Sequence, residues 1–194
     1  MRRVVVSLVL LPILLLLLVA PAAAAPPLKE SGTQNFLSSF ASSCSQVSCT
    51  DTFLDVFNID AEIVLVCVGS VTYNVRNGRI TSQESGCSEA SPDALTVTED
   101  ITATLSETPV TFVDCNQRGC VEGDTVIVSA SDTAIGPIFI ESNRGTFTDG
   151  TCTFRYRSET RSSEVAGTMT IDGAVFEQSG SAGTSEFAVT SRCR

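Results

Sequence analysis

Apolar and polar residues alternate along most of this chain with period two, the signature of strands that bury one face. In "TCTFRYR", Cys152, Phe154 and Tyr156 alternate with Thr151, Thr153, Arg155 and Arg157, so each set is expected on its own face of one strand. "LTVTEDITATL" reads as another strand, with Leu95, Val97, Ile101, Ala103 and Leu105 evenly spaced and Glu99 as the charged residue on their face. The runs "TFLDVF", "EIVLVCV", "PVTFVD", "DTVIVSA", "PIFIE" and "SEFAVTSRC" bring the expected total to roughly ten to twelve strands. Three dipeptides, Asn77-Gly78, Asp149-Gly150 and Asp172-Gly173, suit type I′ turns, whose central residues both need positive φ. At the last of them Ile171 should oppose Ala174, and Met169 should oppose Phe176.

Short connections and the lack of any segment long enough for a crossover helix predict an all-β class, an antiparallel sandwich or barrel. One stretch departs from the alternation. In "TQNFLSSFASS", Phe36, Leu37 and Phe40 can share one side of a brief helix, which predicts a short N-terminal helical segment within residues 25–43, ahead of a single all-β domain over 44–194.

Residues 1–24 differ in kind. Arg2 and Arg3 precede an apolar run from Val4 to Ala20, and Ala22 and Ala24 form an A-x-A cleavage pattern, the arrangement of a secretory signal peptide. The expected product is secreted and extracellular, with no membrane span after signal removal. Loss of Arg2 and Arg3 leaves 10 basic and 22 acidic residues, a net charge of −12 in place of −10. So acidic a chain argues against polyanion partners, nucleic acid first among them, because phosphates are bound by clustered Lys and Arg. An extracellular protein or a glycan is the expected class of partner.

Export changes how the eight cysteines are read, because an even set in an oxidising compartment implies disulfide bonds. Hairpin logic favours Cys67 with Cys87; Cys44 with Cys49 and Cys115 with Cys120 would then pin tight loops, leaving Cys152 to pair with Cys193. For a two-residue turn at Asn77-Gly78, Cys67 falls opposite Ser88, so one bulge at Gly69 or Gly86 is expected to bring Cys67 and Cys87 together. None of the spacings is C-x₂-C, so no zinc centre is predicted.

Composition narrows the chemistry further. The chain has no histidine, and its only lysine, Lys29, lies just after the leader. Ser-His and Cys-His nucleophile pairs, histidine-zinc sites and Schiff-base lysines are therefore excluded. What remains for catalysis is carboxylate chemistry, of which glycoside hydrolysis is the type case. Glu99, and the cluster Asp55, Asp60 and Glu62, are the carboxylates to test for it, although each also reads as part of a turn or a solvated rim. The same cluster departs from the calcium-loop pattern, and neither metal nor cofactor is predicted.

Arg155, Arg157 and Arg161, with Arg144 nearby, could line one strand face as a basic stripe; charges that deter edge pairing would look the same. Arg118 stands on the small loop Cys115 to Cys120. The functional expectation is a secreted, non-enzymatic β-domain acting in binding or as a structural component. Two alternatives accompany it, a small carboxylate-dependent glycoside hydrolase and a β-barrel carrier of an apolar small ligand.

Overall fold

The computed structural model describes residues 28–58, 63–116 and 119–193. Its strands are β1 (Leu28–Cys44), β2 (Ser48–Asn58), β3 (Val64–Asn74), β4 (Ile80–Ala90), β5 (Leu95–Val97), β6 (Thr102–Asn116), β7 (Gly119–Ala134), β8 (Phe139–Asp149), β9 (Cys152–Ile171) and β10 (Ala174–Cys193). They form one sheet in the order β10-β1-β2-β3-β4-β6-β7-β9-β8, and β9 also pairs with β10. That last pairing closes eight strands into a barrel. All pairings are antiparallel, as short connections require.

Alternation fills the interior. Leu54 and Val56 of β2, Val64, Val66 and Val68 of β3, Val126, Val128 and Ala130 of β7, and Val165 and Met169 of β9 form one buried cluster with Leu37 and Ala182. β5 pairs with β6 and also lies against β1 and β10, and its Leu95 joins this core together with Ile101. Glycines let the strands approach where the barrel closes. β4 meets β6 at Gly86 opposite Phe112, and a Cβ on Gly86 would sit 2.2 Å from the Thr111 carbonyl oxygen.

Three local expectations are corrected. The segment expected to be helical is strand, for β1 runs unbroken from Leu28 to Cys44. Leu37, Ser39 and Ala41 face the core, and Phe36 and Phe40 lie on the opposite face, Phe36 covering Gly183. Pairing with β10 on one edge and β2 on the other satisfies the backbone more fully than an isolated helical turn would. "LTVTEDITATL" is two strands, not one. After Val97 the chain turns, Thr98 Oγ1 accepts the Thr102 N–H at 3.0 Å, Ile101 takes φ 59°, and Glu99 is exposed in the turn.

The third correction concerns turns. Only Asp172-Gly173 has both central residues at positive φ, 47° and 79°, with Ile171 opposite Ala174 and Met169 opposite Phe176 as expected. Asp149 pairs with Cys152, so that turn is Gly150-Thr151. The β3–β4 loop is longer than two residues: Asn74 N–H donates to Arg79 O, and the register shift falls at Thr72/Tyr73, not at Gly69 or Gly86. It still brings Cys67 opposite Cys87, and the two are bonded.

The bonds Cys44–Cys49 and Cys152–Cys193 are also formed, each across a directly opposed pair. Cys115 and Cys120 are opposed in the β6–β7 backbone register, while their side chains lie outside the described residues. Disulfides in this number are consistent with an oxidising compartment. Residues 1–24, where a signal peptide is expected, and residues 25–27 also lie outside the described residues, as do Asp60, Glu62 and Arg118. Among the described residues no helix is long and apolar enough to cross a membrane.

β9 and β10 are each 20 residues long, about twice what the barrel needs. Along one edge of β9, Val165–Ile171 pairs with β7 and Cys152–Ser162 pairs with β8, while β10 follows its other edge throughout. Beyond the barrel, therefore, β8, the first half of β9, the second half of β10 and the start of β1 continue as a four-stranded ribbon.

Candidate functional site

Among the described residues, two concavities and one buried polar cluster stand out. The first concavity is the barrel mouth at the Asp172-Gly173 end, a cavity of about 540 Å³. Val68, Val126, Ile171, Phe112 and Phe176 form its wall, and Thr50, Ser70, Glu84, Asp124 and Asp172 stand among its polar lining. Alternation explains this mixture. Glu84 pairs with Ser70, and both carry the parity of buried Val68 and Gly86, so they point inward one step nearer to solvent. Ser70 Oγ donates to Glu84 Oε1 at 3.3 Å, Thr50 and Thr72 share a hydrogen bond of 2.9 Å, and Asp172 Oδ1 accepts the Ile127 N–H at 2.7 Å.

The second concavity, about 930 Å³, lies over the ribbon and is lined by Arg144, Arg157, Glu159, Glu186, Ser31 and Ser142 among others. Register places Ser31, Ala188, Arg157 and Arg144 in one row across four strands. Two residues along, Thr33, Glu186, Glu159 and Ser142 form the next row on the same face.

Deep in the barrel, Asp132 has no exposed surface. Gln178 Nε2 donates to Asp132 Oδ2 at 2.6 Å, Ser39 Oγ donates to Gln178 Oε1 at 2.7 Å, and Asp132 Oδ1 is buried without a partner. Burial pushes the Asp132 carboxyl up to about 6, and the Gln178 hydrogen bond opposes the rise. No reading of single motifs singles out Asp132, yet the signal is present: it follows Val126, Val128 and Ala130 at even spacing in "DTVIVSASD".

Of the carboxylates expected for hydrolysis, the two among the described residues, Glu99 and Asp55, lie on separate elements. Glu99 is in an exposed turn, and Asp55 accepts Ser38 Oγ at 2.6 Å on the outer face of β2. The structure instead brings Glu84, Asp124 and Asp172 to the barrel mouth. No group of three or more metal-ligating side chains occurs among the described residues. The four arginines of the expected stripe do share one face: Arg155, Arg157 and Arg161 alternate along β9, and Arg144 lies directly opposite Arg157. The chain matches no known protein family, no curated protein and no solved structure.

Proposed function

We propose that this is an exported, disulfide-fastened binding protein that holds a small ligand with an apolar body in the open mouth of its barrel. The observation that carries this reading is a cavity of about 540 Å³ with two phenylalanines and four aliphatic residues, Val68, Val113, Val126 and Ile171, in its lining. Sites for small ligands typically have this size, a mostly apolar lining and a few polar groups to fix orientation. The inward Glu84 and the rim residues Asp124 and Asp172 suit a ligand whose polar end carries hydrogen-bond donors or positive charge.

The carboxylates at the mouth also favour the hydrolase reading more than their sequence positions did, so one experiment should address both. The natively exported protein is titrated with a neutral fluorescent apolar probe and incubated with a panel of glycosides. Saturable one-to-one binding that Val126→Trp abolishes, with circular dichroism unchanged, is the expected result. Turnover of a glycoside that Glu84→Gln or Asp124→Asn eliminates would replace this reading with catalysis, and absence of saturable binding would end it.

A further inference from the structure

The ribbon breaks the rule by which the barrel is built. On β9 the parity that points inward carries Ser163, Val165 and Met169, all buried. Continued toward the start of the strand, the same parity carries Arg161, Glu159, Arg157, Arg155 and Thr153. No register shift intervenes on β1, β9 or β10, so each face stays continuous from barrel to ribbon. The face that continues the barrel interior is thus charged, and the aromatics lie on the other: Phe147 and Phe154 stack at 4.8 Å, with Tyr156 alongside at 6.4 Å.

Adding the flanking strands extends the charged set. Arg155 shares a row with Lys29, Thr190 and Thr146, and Arg161 shares one with Asn35, Thr184 and Ile140. Arg192, opposite Thr153, has the same parity on β10 as Ala188 and Thr190. Lys29, Arg144, Arg155, Arg157, Arg161 and Arg192 therefore occupy one face, six of the 10 basic residues left after the leader, with two carboxylates among them, Glu159 and Glu186. All six are exposed.

Deterring edge pairing does not account for this. Only Lys29 and Arg144 stand on strands that are free at the ribbon's edges, whereas Arg155, Arg157, Arg161 and Arg192 are on interior strands. Folding does not account for it either, because Arg144 directly opposite Arg157 places like charges on a cross-strand pair, which destabilises a sheet. A locally unfavourable arrangement concentrated on one surface marks a functional site.

We infer that this face binds a linear acidic polysaccharide laid along β9. Arginine forks match carboxylate and sulfate groups bidentately. Arg155, Arg157 and Arg161 span six residues of extended strand, roughly 20 Å at about 3.3 Å per residue. Between them Ser31, Thr33, Asn35, Ser142, Thr146, Thr184 and Thr190 offer hydroxyl and amide groups to sugar hydroxyls. A nucleic-acid strand fits less well. Base stacking needs aromatic side chains, and those of the ribbon are on the opposite face. The choice of a glycan rests on the export reading, and is independent of what the barrel mouth holds.

The test is calorimetric titration of the full exported chain with alginate, dextran sulfate, neutral dextran and single-stranded poly(dT), at 20 and 200 mM salt. Binding to alginate or dextran sulfate, the two distinguishing carboxylate from sulfate preference, should weaken at the higher salt, and neutral dextran should not bind. Arg144→Gln/Arg157→Gln should bind roughly tenfold more weakly, while Arg76→Gln/Arg79→Gln, which removes two cations from the β3–β4 loop, should bind as the parent does. The inference is overturned by no binding to either acidic polysaccharide at 20 mM salt, by equal loss in both variants, by tighter binding of poly(dT), or by salt-sensitive self-association that the Arg144/Arg157 variant abolishes.

Discussion

Among the described residues, a carboxyl group with one oxygen unpartnered in a barrel core makes Asp132 a residue at which protonation and stability are closely linked. Its folded-state pKa, about 6, is above the ordinary value of 3.8, because burial penalises the charged form. Between these values the folded chain holds a proton that the unfolded chain has released. The stabilising contribution is therefore complete below about pH 4, declines as pH rises through about 6, and is absent at pH 7, a difference of up to about 3 kcal/mol. Urea denaturation across pH 4 to 7.5 should show this decline. Asp132→Asn keeps an acceptor for Gln178 Nε2 and removes the charge, so it should be more stable than the parent at pH 7 and flatter with pH. The residue was open to prediction from its phase within β7. What its phase could not show is that Gln178, 46 positions away, would supply its hydrogen bond.

Single elements carry two further expectations. The Cys152–Cys193 bond closes a separation of 41 residues at the far end of the ribbon, and Cys44–Cys49 closes one of only 5. In the chain-entropy account their replacement by serine pairs should cost about 4 and about 2 kcal/mol, read as shifts in the denaturation midpoint. The β8–β9 pair offers the converse. Arg144→Thr removes the like-charge opposition to Arg157 and places a β-branched residue on a strand, so it should stabilise the fold by up to about 1 kcal/mol while weakening polyanion binding. Thermal unfolding measured beside the titrations checks both halves of that statement. Cys67–Cys87 and Cys44–Cys49 were readable in the chain because each joins hairpin-linked strands, where register sets the distance, and Cys152–Cys193 followed as a remaining pair. The bulge position was not, since Thr72/Tyr73 yields to the geometry of a loop closed by Asn74 and Arg79.

For the molecule as a whole, the seam between β4 and β6 decides whether there is a barrel. Their register rests on Gly86 opposite Phe112, with Thr111 N–H donating to Ser88 Oγ at 3.4 Å. Gly86→Val would drive a branched side chain into the Thr111 carbonyl and should part these strands. Hydrogen exchange is expected to accelerate in β4 and β6 and to stay slow in β9 and β10, with the barrel-mouth ligand lost and polysaccharide binding retained. Uniform acceleration across the sheet would mean that the ribbon has no stability of its own apart from the closed barrel.

Period-two alternation, turn dipeptides and eight cysteines by themselves determined an antiparallel all-β chain fastened between neighbouring strands, because these are local properties: which residues share a face, where a chain reverses, which cysteines meet across a hairpin. Tertiary structure alone decided that β10 closes onto β1, that Leu28–Cys44 is a strand, and that the arginine side of "TCTFRYR" continues the barrel interior while its aromatic side faces out. Alternation sorts side chains into two sets without saying which set is covered. Covering depends on what lies across the sheet, and the ribbon, reaching beyond the barrel, leaves Arg144, Arg155, Arg157 and Arg161 exposed.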